Sequence, residues 1–246
     1  MRNLTFSTGL KSFIVAMTCV AAFQANADIV ISGTRIIYPQ SVKDVVISLE
    51  NRGQRPLLVQ TWLDDGRDTT NPQELKLPFV ITPPVSRVDP HKGQSIRITY
   101  LGQPLPQDKE SMFWFNALEI PPKAKLKEGE SPNQLQLAFR TRIKLFFRPD
   151  GLKGTPGQAV KDLKWSLQKQ NGNYALVAQN NSPWNVSLSA VTFKVGTREF
   201  PVSSKSILPF SSSEMPVTDL NSQTSGTVKY MSINDNGGVE ENNASI

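Results

Sequence analysis

Leu135 to Arg148 reads LQLAFRTRIKLFFR and alternates along its whole length. The odd positions are Leu135, Leu137, Phe139, Thr141, Ile143, Leu145 and Phe147. The even positions are Gln136, Ala138, Arg140, Arg142, Lys144, Phe146 and Arg148. Successive side chains of a strand point to opposite faces, so one face is apolar and the other mostly cationic. No Pro or Gly interrupts the run. It would span roughly 46 Å at about 3.3 Å per residue, against about 17–20 Å for an ordinary strand. Few sandwich cores are that tall, so part of the apolar row is expected to overhang its own domain. An exposed strand edge is a template for pairing with another chain. A long strand wholly covered in its own core is the other reading of the same alternation.

Shorter alternating runs precede it. Asp28–Tyr38 alternates around Gly33, as a strand with a bulge or kink would. Val45–Glu50, Leu57–Leu63, Ser95–Leu101 and Met112–Ile120 read as further strands. Phe79–Val88 is broken by Pro83-Pro84, which predicts an edge or a switch between sheets. Strands separated by turn residues at short spacing, with no convincing helix, predict an immunoglobulin-like sandwich. Pro149–Gly157 is dense in Pro and Gly and reads as a linker. Beyond it, strands are expected at Leu163–Gln168, Tyr174–Gln179, Val186–Val195, Arg198–Val202, Met215–Val217 and Thr227–Ile233. The fold class is therefore all-β, with two β-sandwich domains. The polar tail from Gly238 to Ile246 is expected to be loose.

The first residues change the picture of where the chain works. Arg2 and Lys11 precede or flank the apolar run Ser12–Phe23, and Ala25-Asn26-Ala27 fits the small-x-small cleavage rule. A signal peptide over residues 1–27 is expected, with a mature chain starting at Asp28 and no membrane insertion of that chain. The only cysteine, Cys19, lies in this leader. The mature chain would enter an oxidising compartment without a disulfide. Without Arg2 and Lys11 the formal net charge falls from +6 to +4. That modest charge on an exported chain argues against nucleic acid and favours a basic groove for acidic groups on a protein.

Catalytic chemistry finds no foothold in the sequence. The single histidine, His91, sits in the turn Asp89–Gly93. One His without a mature Cys supplies neither a zinc site nor a His-based triad, so no metal or cofactor is expected. No phosphate-binding glycine motif is present. Asp64-Asp65 and Glu240-Glu241 read as solvated loop charge. Asn185-Val186-Ser187 matches a glycosylation pattern that is frequent by chance. What remains is cationic. Arg35 stands in an apolar first strand, and Lys144 lies on the cationic face of the long one. Each reads as a paired surface charge, or the two together as a clamp on one carboxylate.

Five stretches in order resemble the periplasmic chaperones of the chaperone–usher pilus pathway, the PapD-like family. They are IVISGTRIIYP from Ile29, TPPVSRVDP at Thr82–Pro90, ESMFWFNALEIPP at Glu110–Pro122, LQLAFRTRIKLFFRP at Leu135–Pro149 and INDNGG at Ile233–Gly238. The resemblance covers essentially the whole mature chain. It implies two immunoglobulin-like domains in a boomerang arrangement: residues 28–149, carrying the donor strand, and residues 150–246. It implies that pilus or fimbrial subunits bind in the cleft between them. Such a subunit lacks its last strand, and Leu135, Leu137 and Phe139 match the positions that fill its open groove. Arg35 and Lys144 match the pair that anchors the subunit's C-terminal carboxylate. Glu110, Arg148 and Asp235 match a structural charge cluster between the domains. The implied partners are the subunits and an outer-membrane usher, with a self-capping homo-oligomer when the chaperone is unloaded. The loop Lys123–Asn133 is short, as in the short-loop subfamily. A secreted two-domain adhesin or receptor module on the same fold is the alternative, since fold does not fix function.

Overall fold

A computed structural model of the chain describes residues 28–122, 136–170 and 172–246. The leader, the loop Lys123–Asn133 and Leu135 lie outside the described residues.

Nine strands precede the linker: β1 (Ile29–Ile31), β2 (Arg35–Pro39), β3 (Asp44–Asn51), β4 (Leu57–Asp64), β5 (Phe79–Thr82), β6 (Val85–Val88), β7 (Gly93–Tyr100), β8 (Ser111–Ile120) and β9 (Phe139–Arg148). They form two sheets, ordered β1-β3-β7-β5 and β2-β9-β8-β4-β6. The apolar faces of both sheets meet in one core that includes Leu49, Ile96 and Ile98 from the first and Val59, Phe115, Leu145 and Phe147 from the second. An aromatic group at one end joins Tyr38, Phe79, Tyr100 and Phe147, with ring centroids 4.7–6.4 Å apart. The buried Tyr38 hydroxyl donates to the Lys43 carbonyl at 2.7 Å and accepts from the Tyr100 amide at 2.9 Å. Its polar handle is thus satisfied, as a buried phenol requires.

The chain changes sheets twice where its sequence is least regular. β1 pairs with β3 in one sheet, and β2 pairs with β9 in the other. The crossing lies at Ser32–Thr34, around Gly33. Likewise β5 pairs with β7, and β6 pairs with β4, on either side of Pro83-Pro84. Proline removes an amide donor from a ladder, which suits a point where the ladder changes partner.

After the linker come a short helix, α1 (Pro156–Lys161), and seven strands: β10 (Lys164–Gln170), β11 (Asn173–Asn180), β12 (Leu188–Val195), β13 (Arg198–Val202), β14 (Ser211–Val217), β15 (Thr227–Ile233) and β16 (Val239–Ser245). The sheets are β10-β11-β14 and β13-β12-β15-β16, around a second core that includes Leu176, Phe193, Ile207, Met215 and Tyr230.

Three expectations are corrected. The helix α1 begins inside the stretch read as linker. Thr155 accepts from the Gln158 amide and Pro156 opens the first turn, which is ordinary capping chemistry. The tail is not loose: β16 pairs with β15 from Val239 to Ser245. Its polar residues alternate over an edge strand, and a side chain needs no apolar character when the backbone ladder holds it. The long strand begins at Phe139, and Gln136–Ala138 are exposed and outside any strand.

Candidate functional site

β9 has two different edges. On one side β8 pairs with it antiparallel from Phe139 to Phe147. On the other side β2 runs parallel to it over Lys144–Arg148 alone. From Phe139 to Ile143, one edge therefore has no strand partner among the described residues. The apolar row follows the same division. Leu137 is 61% exposed and Phe139 42%, whereas Leu145 and Phe147 are fully buried. Thr141 and Ile143 are half-buried between them. β2 starts only at Arg35 because its chain has just crossed from the other sheet, so its length sets where the open edge begins.

The opposite face of β9 carries a ladder of cations over rings. The Arg140 guanidinium lies 5.0 Å from the Trp62 ring, and that of Arg142 lies 4.2 Å from Trp114. Lys144 Nζ lies 5.7 Å from the same Trp114 ring. Asp64 ties the ladder together and is a correction to its reading as solvated loop charge. It ends β4 and is fully buried. It pairs with Arg142 at 2.5 Å and Arg140 at 3.5 Å, and accepts from Asn116 Nδ2 at 2.8 Å. Burial pushes its carboxyl up, but hydrogen bonds from Arg142, Asn116 and the Gly66 amide outweigh that and hold it below the usual range.

Arg35 and Lys144 stand directly opposite each other in the β2–β9 register, at the point where the open edge ends. Lys144 Nζ donates to Ser187 Oγ at 2.9 Å and Ser206 Oγ at 2.5 Å, both from the second domain. Burial, and then the neighbouring Arg35 charge, lower its pKa to about 8. The Arg35 guanidinium donates to the Ile233 carbonyl at 2.9 Å. Its Nε is buried with no partner among the described residues. Burial lowers the Arg35 pKa, partly offset by the Asp235 charge. Neither cation forms a salt bridge among the described residues. Two crowded, partly desolvated cations with spare donors have the chemistry to hold one anion, and a carboxylate would offer the oxygens to match.

Four residues further along β9, Arg148 bridges the domains. Its Nε donates to Glu110 Oε1 at 2.8 Å, and its terminal nitrogens to Asp235 at 2.9 and 3.2 Å. Burial would lower its pKa, but Asp235 and Glu110 raise it beyond the ordinary value. The other Glu110 oxygen accepts from the Asn185 amide at 2.9 Å and its side chain at 3.2 Å. The guanidinium also sits 4.8 Å from the Trp184 ring. Glu110, Arg148 and Asp235 are thus brought together. The turn carrying Asp235 touches the first domain once more at Gly237, whose φ is +83° and where a Cβ would lie 2.5 Å from Thr34 Oγ1.

Sequence reasoning missed Asp64, Ser187 and Ser206. Ser187 lay within a pattern weighed only as a chance glycosylation signal. It is buried beneath Lys144, and its neighbour Asn185 is engaged by Glu110. A hydroxyl in the other domain from a lysine leaves no trace in spacing. His91 lies apart, exposed in its turn with φ +58°. Among the described residues there is no group of three or more His, Cys, Asp or Glu able to hold a metal. No helix among them is long and apolar enough to cross a membrane.

Comparison with known proteins follows the same two-part division. Residues 28–153 match the family model described as the pili and flagellar-assembly chaperone PapD N-terminal domain, and residues 158–244 the PapD C-terminal domain model. The chain is 46% identical to the "Probable fimbrial chaperone YadV" of Escherichia coli K12, over 98% of this chain and 99% of that protein. It is 39% identical to the chaperone protein FimB/FhaD of Bordetella pertussis, over 97% and 96%. The crystal structure of the YadV chaperone matches with a TM-score of 0.78, covering 89% of this chain and all of that one. A structure of the Salmonella enterica SafA pilin in complex with the SafB chaperone matches at 25% identity and a TM-score of 0.75, covering 91% and 99%.

Proposed function

The chain belongs to the PapD-like family of pilus-assembly chaperones, and on that premise we propose that it caps pilus subunits in the periplasm by supplying the missing strand of each. The observation that carries this reading is the coincidence in β9 of an edge without a partner among the described residues and an exposed apolar row. A subunit groove would take Leu137 and Phe139, with Leu135 extending the row, while its backbone pairs with the free edge. Burial of that apolar surface, at roughly 25 cal/mol per Å², and the new ladder bonds supply the energy. No nucleotide or catalytic group enters.

Arg35 and Lys144 would receive the subunit's C-terminal carboxylate. They stand where the open edge stops, so the anchor would also set the register of strand addition. Register matters because a slip of one residue turns the wrong face to the groove. Glu110, Arg148 and Asp235 have a different part: they hold the second domain against the first and keep Ser187 and Ser206 over Lys144. The loaded complex would then be delivered to an outer-membrane usher, a step that family membership supports. Self-association of the unloaded chain would cover the same exposed row. Cleavage after Ala27 would release the mature chain into the periplasm. Family membership favours this reading over a secreted adhesin or receptor module.

Co-expression with a cognate subunit tests the site. The wild type should protect the subunit from periplasmic proteolysis, and the double variant Arg35→Ala, Lys144→Ala should not, while remaining folded by circular dichroism. Equal protection by both proteins would overturn the anchor.

A further inference from the structure

Glu119 is an anomaly of the first domain. It lies near the end of β8, opposite Val59 of β4 and Phe139 of β9, and only 3% of it is exposed. A buried carboxylate is ordinarily paired with a cation or saturated with donors. Glu119 has neither. Its Oε2 accepts one hydrogen bond, from the Asp28 amide nitrogen at 3.2 Å. Its Oε1 is buried without a partner among the described residues. Burial pushes its carboxyl up, the Ile29 and Asp28 amides oppose this, and the Asp28 side-chain charge adds to the rise.

The residue at the other end of that hydrogen bond is held on three sides. The Asp28 carbonyl accepts from the Arg52 amide at 2.7 Å. Its carboxyl rests on Gly53, where a Cβ would come within 2.4 Å of Cγ. Its nitrogen points at Glu119. Immediately after it, β1 enters the sheet beside β3. So Asp28, the first described residue, is fixed in place, and the atom fixed against the buried carboxylate is its nitrogen.

We propose that Glu119 is the receptor for the α-ammonium of Asp28, released when the leader is cut after Ala27. Hydrolysis of the Ala27–Asp28 peptide bond adds water across it: hydroxyl to the Ala27 carbonyl, hydrogen to the Asp28 nitrogen. At neutral pH the new amine takes up one more proton. A single amide donor becomes a cation with three donors, enough to satisfy both Glu119 oxygens. The orphaned oxygen then has a reason, because it is a socket for a group that exists only after processing. Among the described residues the charges that act on the socket are Glu119 itself and the Asp28 side chain, both acidic, and Arg52 is engaged by Glu50 instead. Both carboxylates favour the ammonium. The pair also ties β1 to the end of β8, beside the point where the open part of β9 begins.

The inference rests on the cleavage site proposed above, and the two fail separately. Intact-mass measurement of the periplasmic protein reports the first residue, and a start other than Asp28 overturns both. With Asp28 first, acylation of the α-amine by an amine-reactive ester at pH 7 is followed by peptide mapping in the wild type and in Glu119→Gln. Pairing that raises the α-amine pKa by one unit cuts its reactive fraction about tenfold, so labelling about tenfold slower in the wild type is expected. A form carrying Gly-Ser ahead of Asp28 should melt below the processed protein, and Glu119→Gln should erase that difference. Equal labelling rates in two folded proteins, or a melting difference that survives Glu119→Gln, would overturn the socket. Subunit protection is not the readout, so the result is independent of the donor-strand reading.

Discussion

The two halves of β9 share one strand, one alternation and nearly one composition, yet they meet opposite environments. From Lys144 onward the strand has β2 on one edge and β8 on the other, and its apolar residues are fully buried. Before Lys144 one edge is unpartnered among the described residues, and Phe139 stands 42% exposed. Alternation decides which face is apolar. It does not decide how much of that face is covered, because coverage belongs to the neighbouring strand. Here the neighbour is short because the chain reaches it by crossing between sheets at Gly33. The lesson is that an apolar row can be left incomplete by trimming the strand beside it, with no change to the row itself.

The sharpest way to break the comparison is the same substitution in the sealed half and in the exposed apolar row just ahead of the open half. Leu145→Glu places a charge where the side chain is fully buried. An unpaired buried charge costs several kcal/mol, so the protein should fail to accumulate in folded form. Leu137→Glu changes a side chain that is 61% exposed. Its unfolding midpoint in denaturant should stay within about 0.5 kcal/mol of wild type, while co-purification with a subunit is lost. Similar destabilisation by both would remove the distinction.

A smaller effect probes the junction of the halves. Lys144 is held at about 8 by burial and by Arg35. Below that pH the ammonium is present, and above it the side chain becomes neutral while Arg35 stays charged. Affinity for a peptide with a free C-terminal carboxylate should therefore fall as pH rises past 8, by at most about tenfold per pH unit. Fluorescence anisotropy would follow this, with the C-terminally amidated peptide giving a flat, weak baseline. Lys144→Ala should flatten the carboxylate curve as well.

The smallest expected effect concerns the sealed half alone. Gly237 holds a left-handed φ of +83° against Thr34, and an Ala there costs about 1–2 kcal/mol from backbone strain. Gly237→Ala should loosen the docking of the second domain onto Arg148 and so increase amide hydrogen exchange near Lys144–Arg148. Exchange at Phe139–Ile143 should not change.

Much of this was legible beforehand. Periods of two gave the strands, and Pro83-Pro84 marked one sheet crossing, but Gly33, read as a bulge or kink within a single strand, is where the chain splits into β1 and β2 and crosses between sheets. The pattern did not reveal Asp64, whose place after a strand resembled that of any solvated loop acid until β9 laid two arginines beside it. Nor did it reveal the tail strand β16, because a polar edge strand takes its order from backbone bonds and carries little side-chain signal. The charge cluster Glu110, Arg148 and Asp235 could be named only through resemblance, since its members are far apart in the chain.

By itself the sequence determined the all-β class, the two faces of β9 and the chemistry available on each, because side-chain direction in a strand follows from local geometry. Tertiary structure alone decided where β9 is open, that Arg35 faces Lys144, that two hydroxyls of the other domain reach that lysine, and that Glu119 waits against Asp28. Each of these is a meeting of residues distant in the chain. Such meetings are settled by which strands pair and where they end, and no local pattern encodes that.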